Sequence, residues 1–289
     1  METHTGRFMQ ETAAAARIDQ MAGGGEPSSM WALGDYHRFA TDLVWGLGAD
    51  LVEAAEIRRG QRVLDVAAGT GNVATRAAEA GADVVASDIT VESLVAGRRA
   101  AEAAGLAIDW VEADAQELPF ADGEFDAVLS AVGAMFAPDH RRTASELLRV
   151  CRPGGTIALI SFTPEGLAAE FFGLFGRYSP PPPADFAPPV LWGDEGHVRD
   201  LLGDGAAEIA FSRGELVERL DGDPLAYRDF YKRTFGPVIA TYAGLKGEPA
   251  RIAALDEEFL DFCERSNRGA AGGPVEYGYE YLLVVARRA

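Results

Sequence analysis

Basic residues are scarce in this chain. Its 289 residues hold 26 Lys and Arg against 45 Asp and Glu, a formal charge of −19. No basic cluster stands out, and gripping a phosphate backbone needs one. Nucleic acid is therefore not expected as a partner. Cysteine is nearly missing. Cys151 and Cys263 form neither a C-x-x-C pair nor a zinc spacing, and read as buried thiols of a reducing compartment. No apolar run approaches the roughly 20 residues that span a bilayer. Residues 1–30 lack the basic-then-apolar pattern of a secretory signal. These absences predict a cytoplasmic protein with no membrane partner. No Asp/Glu/His cluster has ligand spacing, so no metal is expected.

What is present is an apolar content of 48%, enough for a sizeable core. Ala13 to Ala16 and then Gly23-Gly24-Gly25 predict an arm with a flexible joint. Apolar residues at helical spacing follow over 36–56: Phe39, Leu43, Val44, Leu47, Leu51, Val52. Strands and helices then alternate. Strands are expected at 62–67, 83–87, 107–112, 125–130 and 156–162. Helices are expected after Gly71, after a Thr90 cap with Val91, Leu94 and Val95 facing inward, and from about Asp139. Arg152-Pro153-Gly154-Gly155 is read as the turn into strand five. Apolar strands separated by helices predict an α/β fold. The sheet is Rossmann-like, doubly wound and mostly parallel, with helices on both faces. Ligands of such sheets sit at the carboxyl ends of the strands. Asp65, Asp88, Asp114 and Ser130 all fall at or just past such ends.

Past residue 163 the alternation stops. Ser179 to Pro183 reads as a stiff linker. A short helix at 194–202, a strand at 208–211 and two helices with aromatic stripes follow: Leu225, Phe230 and Tyr231, then Leu255, Phe259, Phe262 and Cys263. An antiparallel strand at 277–285 ends the chain. The expected partition is an arm (1–29), a cap helix (30–58), an α/β core (59–178), a linker with sixth strand and helical lid (179–273), and a closing strand (274–289).

The most informative stretch is Val63-Leu64-Asp65-Val66-Ala67-Ala68-Gly69-Thr70-Gly71-Asn72. A buried strand ends in a carboxylate, then a small-residue turn opens a helix. Bare backbone there lets a ligand lie close, and Asp65 favours a cationic one. The loop also fits G-x-G-x-x-A, and Asp88 stands 17 residues beyond Gly71. That is a nicotinamide dinucleotide pattern. Against it, Asp65 precedes the loop and Ala67 extends it backwards as D-x-A-x-G-x-G.

The stretch 62–162 resembles the class I S-adenosylmethionine-dependent methyltransferases, near the branch with the ubiquinone and menaquinone methyltransferases. The likeness rests on the loop, on Asp88, on Glu112-Ala113-Asp114-Ala115-Gln116-Glu117-Leu118-Pro119-Phe120, on Phe125-Asp126-Ala127-Val128, and on Leu148 to Gly155. Ala67 stands where that family has its first loop glycine. The resemblance implies S-adenosyl-L-methionine as cofactor, S-adenosyl-L-homocysteine as product, and a set of roles. Asp65 would draw the methionine ammonium. Ala67, Gly69, Thr70 and Gly71 would line the methionine and ribose. Asp88 would accept the ribose hydroxyls, and Ile89 would pack on adenine. Asp114 and the Ala115 backbone would read the adenine edge. Ser130 and Ala131 would border the sulfonium. For the three aspartates the competing role is a helix cap or solvated strand end.

The implied reaction is in-line methyl transfer to an O, N or C nucleophile of a small-molecule acceptor. His37 and His140 are the candidate bases, each with a packing or surface role as its competitor. Trp31, Tyr36, Met135, Phe136, Phe230, Tyr231 and Phe235 are candidates for the acceptor pocket, although such stripes more often build core. A nicotinamide oxidoreductase and an S-adenosylmethionine-binding cyclase that transfers no methyl remain alternatives. The protein is expected as a monomer or homodimer.

Overall fold

A computed structural model describes residues 30–182 and 186–289. The expected arm, with its alanine and glycine runs, and part of the linker lie outside the described residues. Seven strands form one sheet in the order β3-β2-β1-β4-β5-β7-β6. They are β1 (Arg62–Val66), β2 (Asp83–Asp88), β3 (Asp109–Glu112), β4 (Phe125–Ala131), β5 (Cys151–Phe162), β6 (Ala206–Leu220) and β7 (Val275–Arg288). Strands β1 to β5 run parallel, and β7 lies antiparallel between β5 and β6. Val63, Leu64, Val66, Ala127, Val128 and Leu129 are all fully buried. Helix-covered faces on both sides require that, and continuous apolar runs provide it.

The predicted first helix is broken. α1 (Tyr36–Phe39) passes through a π-helical turn (Ala40–Val44) into α2 (Gly46–Ala54). Crossover helices are α3 (Asn72–Glu79), α4 (Val91–Ala103) and α5 (His140–Val150). Asp139 caps α5, accepting from Arg142 N at 2.9 Å. The inward face of α4 is not the expected one. Val91 and Val95 are exposed, and Ser93, Leu94, Gly97 and Ala101 are buried. Small residues face the sheet there because Trp110 fills the space beneath them, and a Cβ on Gly97 would collide with its ring. Arg152 to Gly155 form a bulge within β5, not a turn before it: Cys151 pairs with Phe125 and pairing resumes at Thr156 with Ala127.

Beyond β5, α6 (Leu167–Gly176) was not anticipated; its apolar content is nearly all-round, which hides the helical period. α7 (Glu195–Leu202) follows. Three helices stand where two were expected: α8 (Pro224–Thr234), α9 (Gly236–Gly244) and α10 (Pro249–Ser266). Asp223 caps α8, accepting from Ala226 N at 2.8 Å. Leu225 is exposed, while Phe230, Tyr231, Phe259 and Phe262 are buried. Strand β6 extends far past the expected 208–211. Its charged, half-exposed pattern shields a sheet edge, and masks the alternation that a short strand would show.

Candidate active site

Strand β1 delivers Asp65 to the carboxyl edge of the sheet, and β2 delivers Asp88 beside it. Asp88 is buried. Its Oδ2 accepts from Gly69 N at 2.8 Å and its Oδ1 from Thr90 N at 2.8 Å. One carboxylate thus pins the glycine loop to the start of α4. Asp65 is 1% exposed. Its Oδ2 accepts from Ala74 N at 2.9 Å, in the first turn of α3, where a negative charge suits the helix dipole. Burial pushes Asp65 up to about 8, with the nearby Asp88 adding to the shift. Burial also raises Asp88, against the N–H groups of Thr90 and Gly69, which stabilise its anion. Their hydrogen-bond partners are backbone N–H groups rather than cations. Two buried carboxylates without a counter-ion among the described residues are costly, and a cationic ligand would relieve the cost.

Above them lies a cleft. It is lined by Ala67 and Gly69 from the loop, by Asp88, Ile89, Thr90 and Ser93, and by Ala113, Asp114, Ala115 and Gln116. Trp31, Tyr36, Gly133, Phe136, Ala137 and Pro138 complete it. Tyr36 covers Gly69 so closely that a Cβ there would stand 2.9 Å from its ring. Burial raises the Tyr36 phenol, and the Asp88 and Asp65 charges raise it further. At Gly71 the backbone is left-handed (φ +88°) and a Cβ would meet the Trp110 ring at 2.5 Å. This glycine is needed for the turn and for packing; it does not line the cleft. Ala67 also adopts a left-handed φ of +53°. That explains why a glycine is the usual occupant of this place in the family pattern.

Asp114 faces the cleft and accepts from Gln116 N at 2.8 Å. Gln116 Oε1 accepts from Asp139 N at 3.0 Å, tying the β3 loop to the start of α5. Ser130 is buried away from the cleft. Its hydroxyl donates to Val66 O at 2.7 Å and accepts from Ala134 N at 2.9 Å, clamping β4 to β1. Thr70 and Ala131 likewise do not line the cleft, nor does Asp65, which supports it from below. Val132, next in sequence, sits at φ +49°, a strained backbone for a β-branched residue.

Of the aromatic candidates, Trp31, Tyr36 and Phe136 line the cleft. Met135, Phe230, Tyr231 and Phe235 are buried. Phe235 backs the wall, 4.7 Å from Phe39 and 5.9 Å from Trp31 between ring centroids. Neither histidine candidate lines the cleft. His37 leaves its Nδ1 buried without a partner among the described residues. His140 Nδ1 lies 2.9 Å from His197 Nε2, and its ring packs on Trp192. Sequence reasoning missed Thr90, Ser93, Gly133, Ala137 and Pro138, which have no motif chemistry. Gln116 was within reach, since it sits inside the Asp114 motif.

Comparison with known proteins bears on the fold and the family. The methyltransferase domain model matches residues 64–159. The chain is 46% identical over 259 residues to uncharacterized protein Rv1403c of Mycobacterium tuberculosis, covering 90% of this chain and 93% of that one. A demethylmenaquinone methyltransferase of Thermus thermophilus is 42% identical over 141 residues, 48% of this chain and 62% of that protein. Phosphoethanolamine N-methyltransferase 2 of Haemonchus contortus, solved with S-adenosyl-L-methionine, shares the fold. Its TM-score is 0.52 at 17% identity, over 84% of this chain and 52% of that one. A methyl-transfer domain, a seven-stranded sheet and buried carboxylates at its cofactor edge lead to one assignment: the chain belongs to the class I S-adenosylmethionine-dependent methyltransferases, close to their menaquinone branch.

Proposed function

We propose that this methyltransferase acts on a small-molecule acceptor by in-line displacement, within the cleft over Gly69. The observation that carries this reading is the pair of buried carboxylates, Asp65 and Asp88, beneath a loop of bare backbone. That pair of acceptors fits a ligand with cationic and hydroxyl groups, which donate to it. It offers a pyrophosphate no cation among the described residues, and an ionised carboxylate there would repel one. When bound, S-adenosylmethionine supplies a methyl group on a positively charged sulfur, already activated toward a nucleophile.

In this reading Asp88 would accept ribose hydroxyls with its free lone pairs, and Asp65 would balance the amino acid end. Ile89 would pack on adenine, with Asp114 and Ala115 at its edge. Trp31, Tyr36 and Phe136 would exclude water and hold the acceptor in line, which can supply much of the rate. Among the described residues, the titratable side chains lining the cleft are Tyr36, Asp88 and Asp114. No histidine or lysine joins them among the described residues, so an acceptor that ionises by itself, such as an acidic phenol or enol, suits this cleft. We further propose that residues 59–178 carry the cofactor and that 30–58 and 179–273 shape the acceptor side. The test is transfer of a labelled methyl from the cofactor to phenolic acceptors of graded acidity. The reading predicts product whose rate profile follows the acceptor's own ionisation. It fails if label reaches only protein or nucleic acid.

A further inference from the structure

A second cavity lies behind the cleft and takes no part in the roles above. It is a groove of about 750 Å³ between α6, α9 and residues 178–181, a size typical of small-molecule sites. Phe171, Phe172 and Phe175 line it from α6, and Pro237 and Val238 from α9. The charged lining residues are Glu248 and Arg251, both half-exposed and paired with each other at 3.1 Å.

One layer of aromatic rings separates this groove from the cofactor cleft. Trp31 and Phe136 line the cleft; Met30 and Phe172 line the groove. The Trp31 and Phe136 centroids are 4.8 Å apart, and those of Phe136 and Phe172 are 5.8 Å apart, edge to face. All three rings are only partly buried. Phe136 rides on a single 3-10 turn (Ala134–Phe136) just past the strained Val132.

We propose that the groove seats an elongated aliphatic chain of the methyl acceptor, with the reactive head reaching past Phe136 into the cleft. The inference rests on the methyltransferase reading. The Tyr178, Ser179 and Thr241 hydroxyls of the lining already donate to Glu258, Phe175 O and Pro237 O, and Glu248 pairs with Arg251, so a hydroxyl-rich acceptor would find few partners there and its unpaired groups would be costly to bury. An aliphatic chain gains with every methylene it buries. The Phe136–Phe172 contact is where groove and cleft meet, and a turn of either ring lets one acceptor occupy both, which makes the acceptor the occupant.

The test uses a fluorescent chain probe, 11-(dansylamino)undecanoic acid, displaced by 4-hydroxybenzoate esters of increasing alkyl length. Affinity should rise about threefold to fourfold per added methylene until the groove is full. Gly244 and Ala240 line the groove, and a Cβ on Gly244 meets nothing within 4 Å. Gly244→Phe, and independently Ala240→Trp, should weaken the longer esters by about tenfold or more. Binding of S-adenosylhomocysteine should be unchanged in both. Affinity independent of chain length, or equal in both folded variants and wild type, would overturn the proposal. So would probe binding that appears only when residues 1–29 are removed, because the chain itself would then be the occupant. Loss of S-adenosylhomocysteine binding by wild type, with the chain-length series intact, would instead sink the methyltransferase reading.

Discussion

Asp65 makes the ligand-free protein less stable than it could be. It titrates near 8 when folded, because burial and then Asp88 penalise its anion; in an unfolded chain the value is about 3.9. Between these pH values the folded state holds a proton that the unfolded state has released. Stability therefore falls as pH rises through this window, and the whole penalty stands above about pH 8. Asp65→Asn removes the charge while its amide oxygen can still accept from Ala74 N. The ligand-free variant should melt several degrees above wild type at about pH 8.5 and close to it at about pH 4. Its affinity for S-adenosylhomocysteine should drop about tenfold or more, since the charge that balances the ligand's ammonium is lost. Thermal melts with and without ligand check both halves. At Gly71 the requirement is steric. Gly71→Ala puts a methyl into Trp110 at a left-handed φ and should cost about 1–3 kcal/mol, read from urea unfolding.

Two contacts between elements are similarly exposed to test. His140 of α5 meets His197 of α7, and burial, then His197, pushes His140 down to about 4. In the unfolded chain it would titrate near 6.5. Here the unfolded state binds the extra proton, so this contribution is complete above about pH 6.5 and is lost as pH falls toward about 4. Asp65 works in the opposite direction over that range. In the Asp65→Asn background, melting temperature should therefore fall more steeply with acid, and adding His140→Gln should flatten it. The second contact is the Ser130 hydroxyl between β1 and β4. Ser130→Ala strands Val66 O and Ala134 N and should cost about 1–3 kcal/mol in denaturant titration. The role expected of Ser130 at the sulfonium follows from its place past β4. The hydroxyl's direction, held by Val66 O and Ala134 N, is not written in the residue type.

At the scale of the whole molecule, β7 holds the C-terminal half to the sheet, pairing with β5 on one side and β6 on the other. A chain ending before Val275 should lose cooperative unfolding in calorimetry, because two strand partners would be left open. Much of the parallel sheet was legible because strands such as Val63-Leu64 and Ala127 to Leu129 are apolar right up to the polar residue that follows, Asp65 or Ser130. The lid was less legible. Helix α6 is apolar on nearly every face, and β6 is an edge strand with a half-polar pattern, so neither shows a clean period. In the site, Asp88, Ile89, Asp114 and Ala115 sit at strand ends where topology alone puts them on the cleft. Thr70 and Gly71 share the loop yet point away, and His37 shares α1 with Tyr36 but not its face. Those differences depend on which side of a turn or helix packs, and a lone sequence does not encode that at single-residue resolution.

The central claim is that buried carboxylates and a bare turn hold an adenosyl amino acid at the carboxyl edge of the sheet. Isothermal titration of the folded protein with S-adenosylhomocysteine, and separately with NAD, tests it most directly, repeated on Asp88→Asn. Saturable uptake of S-adenosylhomocysteine, weakened about tenfold or more by the substitution, with no heat from NAD, is the predicted result. Uptake of NAD without S-adenosylhomocysteine, or affinity untouched in a folded Asp88→Asn protein, would contradict it.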